Sequence, residues 1–367
     1  MQTIQKIISV SIPYQFSPDK SINDSQILLF DIETTGLSPD ISSIYLIGCC
    51  YYQKNTWNLI QFFADDYISE QSILEHFADF AKNFKIMIHY NGNGFDIPYL
   101  QKKFSHYNMN FSFDTFLQID LYKKIYPYKK FINIENLKQK TVEQFLGLTR
   151  KDSYSGKELI DVYVNYMKDK FGHKPEMQGE QEKLLLHNEE DVTNLIQLTA
   201  IMAYSEIFEE TPKSLTAVYE NSCLEISFTL RNPIGRTIQW QLPSISFFAS
   251  NKNVMLSVKC VEGELKYFYP NYKDYYYLPA EDVAMHKSVA GFVDKEYRVK
   301  AKAATCYTRK QSIFVPQFHG SLEPAFRTNY KEKQSYLELT DKFLSDQDTI
   351  NNYTSILLQH FIHAIGK

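Results

Sequence analysis

The feature that most constrains this chain is the stretch Ile27 to Leu37, which reads ILLFDIETTGL. Its apolar run is short and closes at Gly36, which suits a buried strand better than a helix. Asp31 and Glu33 are two residues apart within it, so both carboxylates project from the same face. Two anions held side by side at the edge of an apolar core repel each other and lose hydration unless a cation offsets them. A hard divalent ion with oxygen ligands is the natural partner. The competing reading is a strand end with solvated acids, and the rest of the chain decides between the two.

At 367 residues with 44% apolar content, the chain exceeds one ordinary domain, and two are expected. Acidic and basic residues nearly balance (43 against 39), which excludes a global basic field, so any nucleic-acid binding must come from a local patch. Cys49, Cys50, Cys223, Cys260 and Cys306 form no C-x-x-C pair and no zinc spacing. They read as reduced thiols, and with no secretory leader and no apolar run of membrane length the expectation is a cytoplasmic protein.

Taken in order, residues 1 to 25 form a leader with one strand and a polar turn from Ser17 to Ser25. After the Ile27 strand, Ile44–Tyr52 and Trp57–Phe63 flank a short polar turn and predict a hairpin. Ser69 to Phe84 carries Ile73, Leu74, Phe77, Phe80 and Ala81 at helical spacing, with Ser69 as cap. Lys85 to His89 is a short strand that runs into YNGNGFDIPYL. Asn91 to Gly94 make a tight turn there, and Asp96 opens a helix with Pro98 in its first turn. Asp120 begins a basic, aromatic stretch with Lys123, Lys124, Tyr122 and Tyr126, residue types that a phosphate-tracking groove uses and that a solvated helix face also uses. Helices follow at Thr141–Leu146 and from about Ser155. A long helical stretch, Gln178–Glu209, contains His187 and Asp191 four apart on one face.

From Thr211 the pattern turns to alternation, with strands expected at Leu224–Leu230, Val254–Val261, Glu264–Tyr269 and Tyr297–Tyr307. A turn is expected at Glu262-Gly263, and helices at Pro279–Ala290 and Asp346–Ile365. The expected division is residues 1–210 and 211–367, the second a mainly β accessory domain. Its YYYLP segment and Arg298, Lys300, Lys302, Arg309 and Lys310 are candidates for a basic, aromatic face. Asp282, His286 and Lys287 read as a helix surface.

The order D-x-E in FDIETTGL, the Asp of HYNGNGFDIPYL and the H-x-x-x-D of HNEEDV resembles the DEDD superfamily of 3′ to 5′ exonucleases. With the KTVEQFLGLTRKD segment it is similar to YprB-type RNase H-like domains, over about residues 25 to 205. The resemblance implies an α/β fold, an RNase H-like mixed sheet flanked by helices, followed by a smaller mainly β (α+β) domain. It also implies phosphodiester hydrolysis with two Mg²⁺ or Mn²⁺ ions, and a nucleic acid, DNA or RNA, as partner. Asp31 would bridge both ions, Glu33 and Asp191 would each complete a site, and Asp96 would act mainly through water. His187 would orient or deprotonate the attacking water. One departure stands out: superfamily members with a catalytic His place it five residues before the last Asp, whereas His187 sits at the four-residue spacing that Tyr takes, which makes Asn188 its alternative. Asn91 and Asn93 are candidate substrate contacts, and turn formers in the competing reading. A structure-specific endonuclease and a non-catalytic nucleic-acid-binding protein are the remaining alternatives.

Overall fold

The computed structural model describes residues 1–16, 22–318 and 322–366. It divides into two units, Met1–Glu206 with Arg231–Arg236, and Ile207–Leu230 with Thr237–Lys367. The expected polar turn at Ser17–Ser25 lies in part outside the described residues, and its last two residues, Asp24 and Ser25, form with Gln26 a single 3₁₀ turn capped by Asn23.

The first unit is built on β1 (Gln2–Ile8), β2 (Ile27–Thr34), β3 (Ile44–Gln53), β4 (Thr56–Phe63), β5 (Ile86–His89) and β6 (Leu117–Asp120). They form one mixed sheet in the order β1-β4-β3-β2-β5-β6. The first four are antiparallel neighbours, while β5 and β6 run parallel to β2. The β3–β4 hairpin turns on Lys54 and Asn55, both with positive φ, as a two-residue turn matched to strand twist requires. Helices α1 (Glu70–Ala81), α2 (Asp96–His106), α3 (Leu121–Ile125), α4 (Gln139–Phe145), α5 (Gly156–Phe171) and α6 (Glu176–Leu198) complete the unit, and the division between the units falls within α7 (Ala203–Glu209). This is the expected mixed sheet flanked by helices.

Strand β2 is covered on both faces, with only Asp31 and Thr34 partly exposed. Leu28, Phe30 and Ile32 are buried on one face, where the Phe30 ring meets Phe77 of α1 and Phe113. The opposite face, carrying Asp31 and Glu33, is covered by α6, which packs on β2 and β3. Two local expectations are corrected. Ser69 stands at the N-cap of α1 but makes no capping bond; its hydroxyl accepts from the Met1 ammonium instead (3.0 Å). Asp120 ends a strand before it begins a helix, because LQID pairs with β5 despite its small apolar content.

The second unit holds β7 (Lys213–Glu220), β8 (Cys223–Gln241) and β9 (Ile245–Lys259) in one sheet. Next come β10 (Val261–Phe268), β11 (Tyr275–Leu278), β12 (Val283–His286), α8 (Lys287–Ala290), β13 (Val299–Lys300), β14 (Tyr307–Gln317), β15 (Phe326–Arg327) and β16 (Ser335–Glu338). Strands β10-β14-β16-β15 close a small barrel around Leu265, Phe314 and Phe326, and β12-β11-β13 form a separate sheet. Helices α9 (Asp341–Ser345) and α10 (Gln347–Gly366) end the chain, α10 as expected.

Three expectations fail in this unit. Glu262-Gly263 is not a turn, because β10 runs through it with both residues paired to β14. Pro279–Ala290 holds a strand and one short helix rather than a single helix, since Val283–His286 pairs with β11. Within Tyr297–Tyr307 only Val299–Lys300 pairs, with β11, before β14 begins. All five cysteines are free thiols. No helix among the described residues is long and apolar enough to cross a membrane.

Candidate active site

Three elements far apart in the chain, β2, α2 and α6, bring the predicted acids together. Asp31 and Glu33 project from β2 toward α6. Asp96, the first residue of α2, follows directly on the β5 loop, and its Oδ1 accepts from the Ile32 amide between the two β2 acids (3.3 Å). Asp191 and His187 come from one face of α6. Glu33, Asp96 and His187 are buried, while Asp31 and Asp191 keep partial exposure. Ligand atoms of Glu33, His187 and Asp191 lie within 4.8 Å of one another, a spacing that one metal ion can bridge.

The electrostatics divide the cluster. Burial, followed by the charges of Asp191, Asp96 and Glu33, pushes the Asp31 carboxyl well above its usual range. Burial likewise pushes Glu33 up to about 8, with His187 opposing and the other acids adding, and Asp96 up to about 7. Tyr45 reports the same negative field: its buried hydroxyl has no hydrogen-bond partner among the described residues, and burial together with the charge of Glu33 raises its pKa. Asp191 behaves oppositely. Burial works against its charge, but His187 and Arg150 hold it below the carboxylate norm. Arg150 Nη2 lies 2.5 Å from Asp191 Oδ1 and, together with Nε, donates to the buried Glu143. His187 Nε2 lies 3.1 Å from Asp191 Oδ2 and 3.8 Å from Glu33 Oε1. Although burial disfavours the imidazolium, the hydrogen bond and charge of Asp191, with Glu33 and Asp152, push His187 up to about 9.

Several supporting residues were not foreseen. Asn188, named only as an alternative to His187, is fully buried and donates Nδ2 to Asp31 Oδ2 (3.1 Å), while Gln61 donates to its Oδ1 (3.0 Å). That insertion needs Gly48 opposite Asp31 on β3, since a Cβ there would lie 2.0 Å from Asn188 Oδ1. A glycine inside an apolar strand was the available signal. Asp152 accepts from His187 Nδ1 (2.7 Å) and Lys140 Nζ (2.9 Å). Burial opposes its ionisation, but those two cations and the Tyr154 amide keep its pKa below the usual range. Asp120, noted only as the start of a basic stretch, is buried and accepts from the Asn91 and Asn93 amides (2.9 and 3.3 Å) and from Lys123 N (3.3 Å). It thereby holds the turn that delivers Asp96. Gly92 is required in that turn because a Cβ would come within 2.6 Å of the His89 ring.

The candidate substrate contacts separate. Asn91 has positive φ, as a turn former does, and also lines a pocket of about 540 Å³ with Tyr90, Tyr122, Tyr126, Lys129 and Lys138. Gln139, in the same wall, donates to the Asp191 carbonyl (2.8 Å). Lys123 and Lys124 are exposed but not in that wall, which Tyr122 of α3 and Tyr126, just past its end, form instead.

Residues 28–203 match the family model described as the RNase H superfamily. No curated protein matches the chain. Among solved structures it is similar to a family B DNA polymerase from the hyperthermophilic archaeon Pyrobaculum calidifontis, at 13% identity and TM-score 0.36, over 68% of this chain and 35% of that one. An exonuclease I in its apo form gives 11% identity and TM-score 0.27 over 56% and 57%. A zinc-bound E. coli ExoI–ssDNA complex gives 11% and 0.28 over 93% and 70%. The chain thus spans 35% and 57% of the first two, and at TM-scores this low the likenesses carry no argument about activity. The fold and the family match agree on one conclusion: residues 28–203, which hold the whole acidic cluster, form an RNase H-like domain.

Proposed function

We propose that this protein is a divalent-metal-dependent nuclease, and more narrowly a 3′ to 5′ exonuclease acting on DNA or RNA. The observation that carries the reading is the charge imbalance. Among the described residues Asp31 and Asp96 have no ion-pair partner, and Glu33 has only the 3.8 Å approach of His187. Carboxylates forced together in this way, with pKa values raised by burial and by one another, stand where a missing cation belongs. The donor set fits a hard ion, being oxygen from Asp31, Glu33, Asp96 and Asp191, as Mg²⁺ or Mn²⁺ prefer. Asp191 shares its oxygens with Arg150 and His187, so it would ligate as a carboxylate already oriented by the protein.

When bound, one or two such ions supply the positive charge that offsets the anions and polarises the phosphate under attack. This chain's own residues then do the rest. The four acids hold the site, and His187 Nε2, facing Asp191 and Glu33, is placed to hydrogen-bond and orient an attacking water. The pocket of Tyr90, Tyr122, Tyr126, Lys129 and Lys138 offers ring faces for bases and cations for phosphates, which supports a nucleic-acid substrate.

The test is cleavage of 5′-labelled single- and double-stranded DNA and RNA with Mg²⁺ or Mn²⁺, comparing the natural protein with Asp31→Ala. A ladder shortening from the 3′ end, lost in the variant, is the expected result. Discrete internal fragments would replace exonuclease by endonuclease. Binding without cutting, unchanged in the variant, would overturn the nuclease reading.

A further inference from the structure

We infer that Asp152 is the positioning residue of this site: it accepts the Nδ1 proton of His187 and thereby turns the Nε2 edge of that ring toward Asp191 and Glu33. The chemical purpose of this aim rests on the nuclease reading; the aim itself rests on geometry. The Asp152 side chain is 2% exposed, and an isolated carboxylate so buried is strongly disfavoured. Its oxygens are fully used. Oδ1 accepts from the Tyr154 amide (3.1 Å), and Oδ2 accepts from Lys140 Nζ (2.9 Å) and faces His187 Nδ1 (2.7 Å). An ionised carboxylate only accepts, so the proton between Asp152 and the ring belongs to Nδ1. That leaves Nε2 as the atom presented to the other acids.

The loop that carries Asp152 is fixed from two sides. Glu190, the α6 neighbour of Asp191, accepts from the amides of Lys151 (2.9 Å) and Asp152 (2.8 Å). Lys140, on α4, holds both Asp152 and the Tyr154 carbonyl (2.5 Å). A carboxylate needed only for loop structure would be satisfied by Lys140 and the Tyr154 amide. Its additional short contact to a buried imidazole fixes a torsion that α6 alone leaves free. This also accounts for the unusual spacing: a His four residues before the last Asp is held on line by a carboxylate from a different element. In the hydrolytic step the Nε2 edge holds the attacking water in line as its oxygen bonds to phosphorus and the leaving oxygen departs, the water's proton being lost to solvent and a solvent proton taken up by the leaving oxygen. Nδ1 keeps its proton, and Asp152 stabilises the charged ring.

The experiment uses ¹⁵N-histidine-labelled full-length protein without metal, followed by cleavage assays with Mn²⁺. A slowly exchanging imidazole N–H resonance, assigned by its absence in His187→Ala, is expected at Nδ1. It should be lost in Asp152→Ala, displaced in the isosteric Asp152→Asn and retained in Lys140→Ala. If Asp152→Ala or Asp152→Asn leaves it in place, or if the proton proves to sit on Nε2 with Nδ1 bare, the inference fails. In cleavage, Asp152→Ala should lower kcat about 10- to 100-fold with KM unchanged, as loss of a group orienting a site residue does. It should cost nothing further in a His187→Ala background; additive losses would overturn the coupling. The Asn variant, which keeps shape and volume, covers the case in which Ala fails to fold. A natural protein that cuts no substrate while the resonance behaves as stated would overturn the nuclease reading and support the aim of the ring.

Discussion

The two halves of the acidic cluster are built on opposite principles. On the sheet side, Asp31, Glu33 and Asp96 crowd together with backbone and amide donors but almost no cations, and their carboxyls are raised. On the helix side, Asp191, Glu143 and Asp152 are just as enclosed, yet Arg150, His187 and Lys140 sit directly against them. Burial is common to both, so burial does not distinguish them. What differs is whether the protein brought its own positive charge. The helix side carries its own counter-charges, and on the nuclease reading proposed above the sheet side would be completed by a cation from outside.

The sharpest way to break this comparison is to remove the internal cation. Arg150→Met should destabilise the protein by about 3–5 kcal/mol, because Asp191 and Glu143 would be left as buried uncompensated charges. Chemical denaturation of the metal-free protein measures it. A loss under about 1 kcal/mol would mean that the helix side is no more internally neutralised than the sheet side.

The dependence on pH follows next, on the order of a few kcal/mol. Glu33, Asp96 and His187 all have folded-state pKa values above their unfolded ones, at about 8, 7 and 9. Each therefore contributes stability that is full below its unfolded pKa and is lost as pH rises through its folded pKa. Asp191, held low, has the opposite sign, but its titration lies at or below the ordinary carboxylate range, outside this window. Metal-free protein should melt lower at pH 8.5 than at pH 5.5, and millimolar Mn²⁺ should restore the loss at pH 8.5. A flat profile without metal would show that the sheet-side acids are already compensated.

How much of this was legible in the sequence follows from how each residue is placed. Asp31 and Glu33 were readable because strand alternation fixes their face. His187 and Asp191 were readable because helical periodicity fixes theirs, and Asp96 because a Gly-rich turn announces a helix start. These signals depend only on local backbone geometry. Arg150 and Asp152 sit in an irregular loop between α4 and α5, where no period exists, so only the tertiary contact of that loop with α6 gives them meaning. In the second unit, alternation located only parts of β8 and β9, while α10 was expected as a helix; Glu262-Gly263 was misread, because a glycine inside a strand and a glycine in a turn look alike until the pairing with β14 is known.

Gly48 offers a smaller test, since it lets the helix side reach across to the sheet side. Gly48→Ala would put a methyl group where Asn188 now meets Asp31, at an overpacking cost of about 1–3 kcal/mol. Activity should fall more than stability, because Asp31 loses the only side-chain donor that orients it among the described residues. Urea denaturation and cleavage rate measured on one preparation separate the two. Wild-type cleavage would show that Asn188 packs beside Asp31 without orienting it.

The smallest effect discriminates best, because it compares two substitutions that keep shape and remove the same charge. Asp31→Asn relieves repulsion from Glu33, Asp96 and Asp191 and still accepts from Asn188, so metal-free protein at pH 8.5 should gain on the order of 1 kcal/mol. Asp191→Asn removes the counter-charge of Arg150 and a partner of His187, so the same measurement should show a loss. The gain should shrink as pH falls, because the Asp31 carboxyl is held well above its usual range and gives up its charge early, while the loss should persist because Asp191 is held below the carboxylate norm. Opposite signs at high pH with different pH dependence are the signature of one half waiting for a cation and the other holding its own. Losses at both positions would show that Asp31, too, has a compensating charge within the fold.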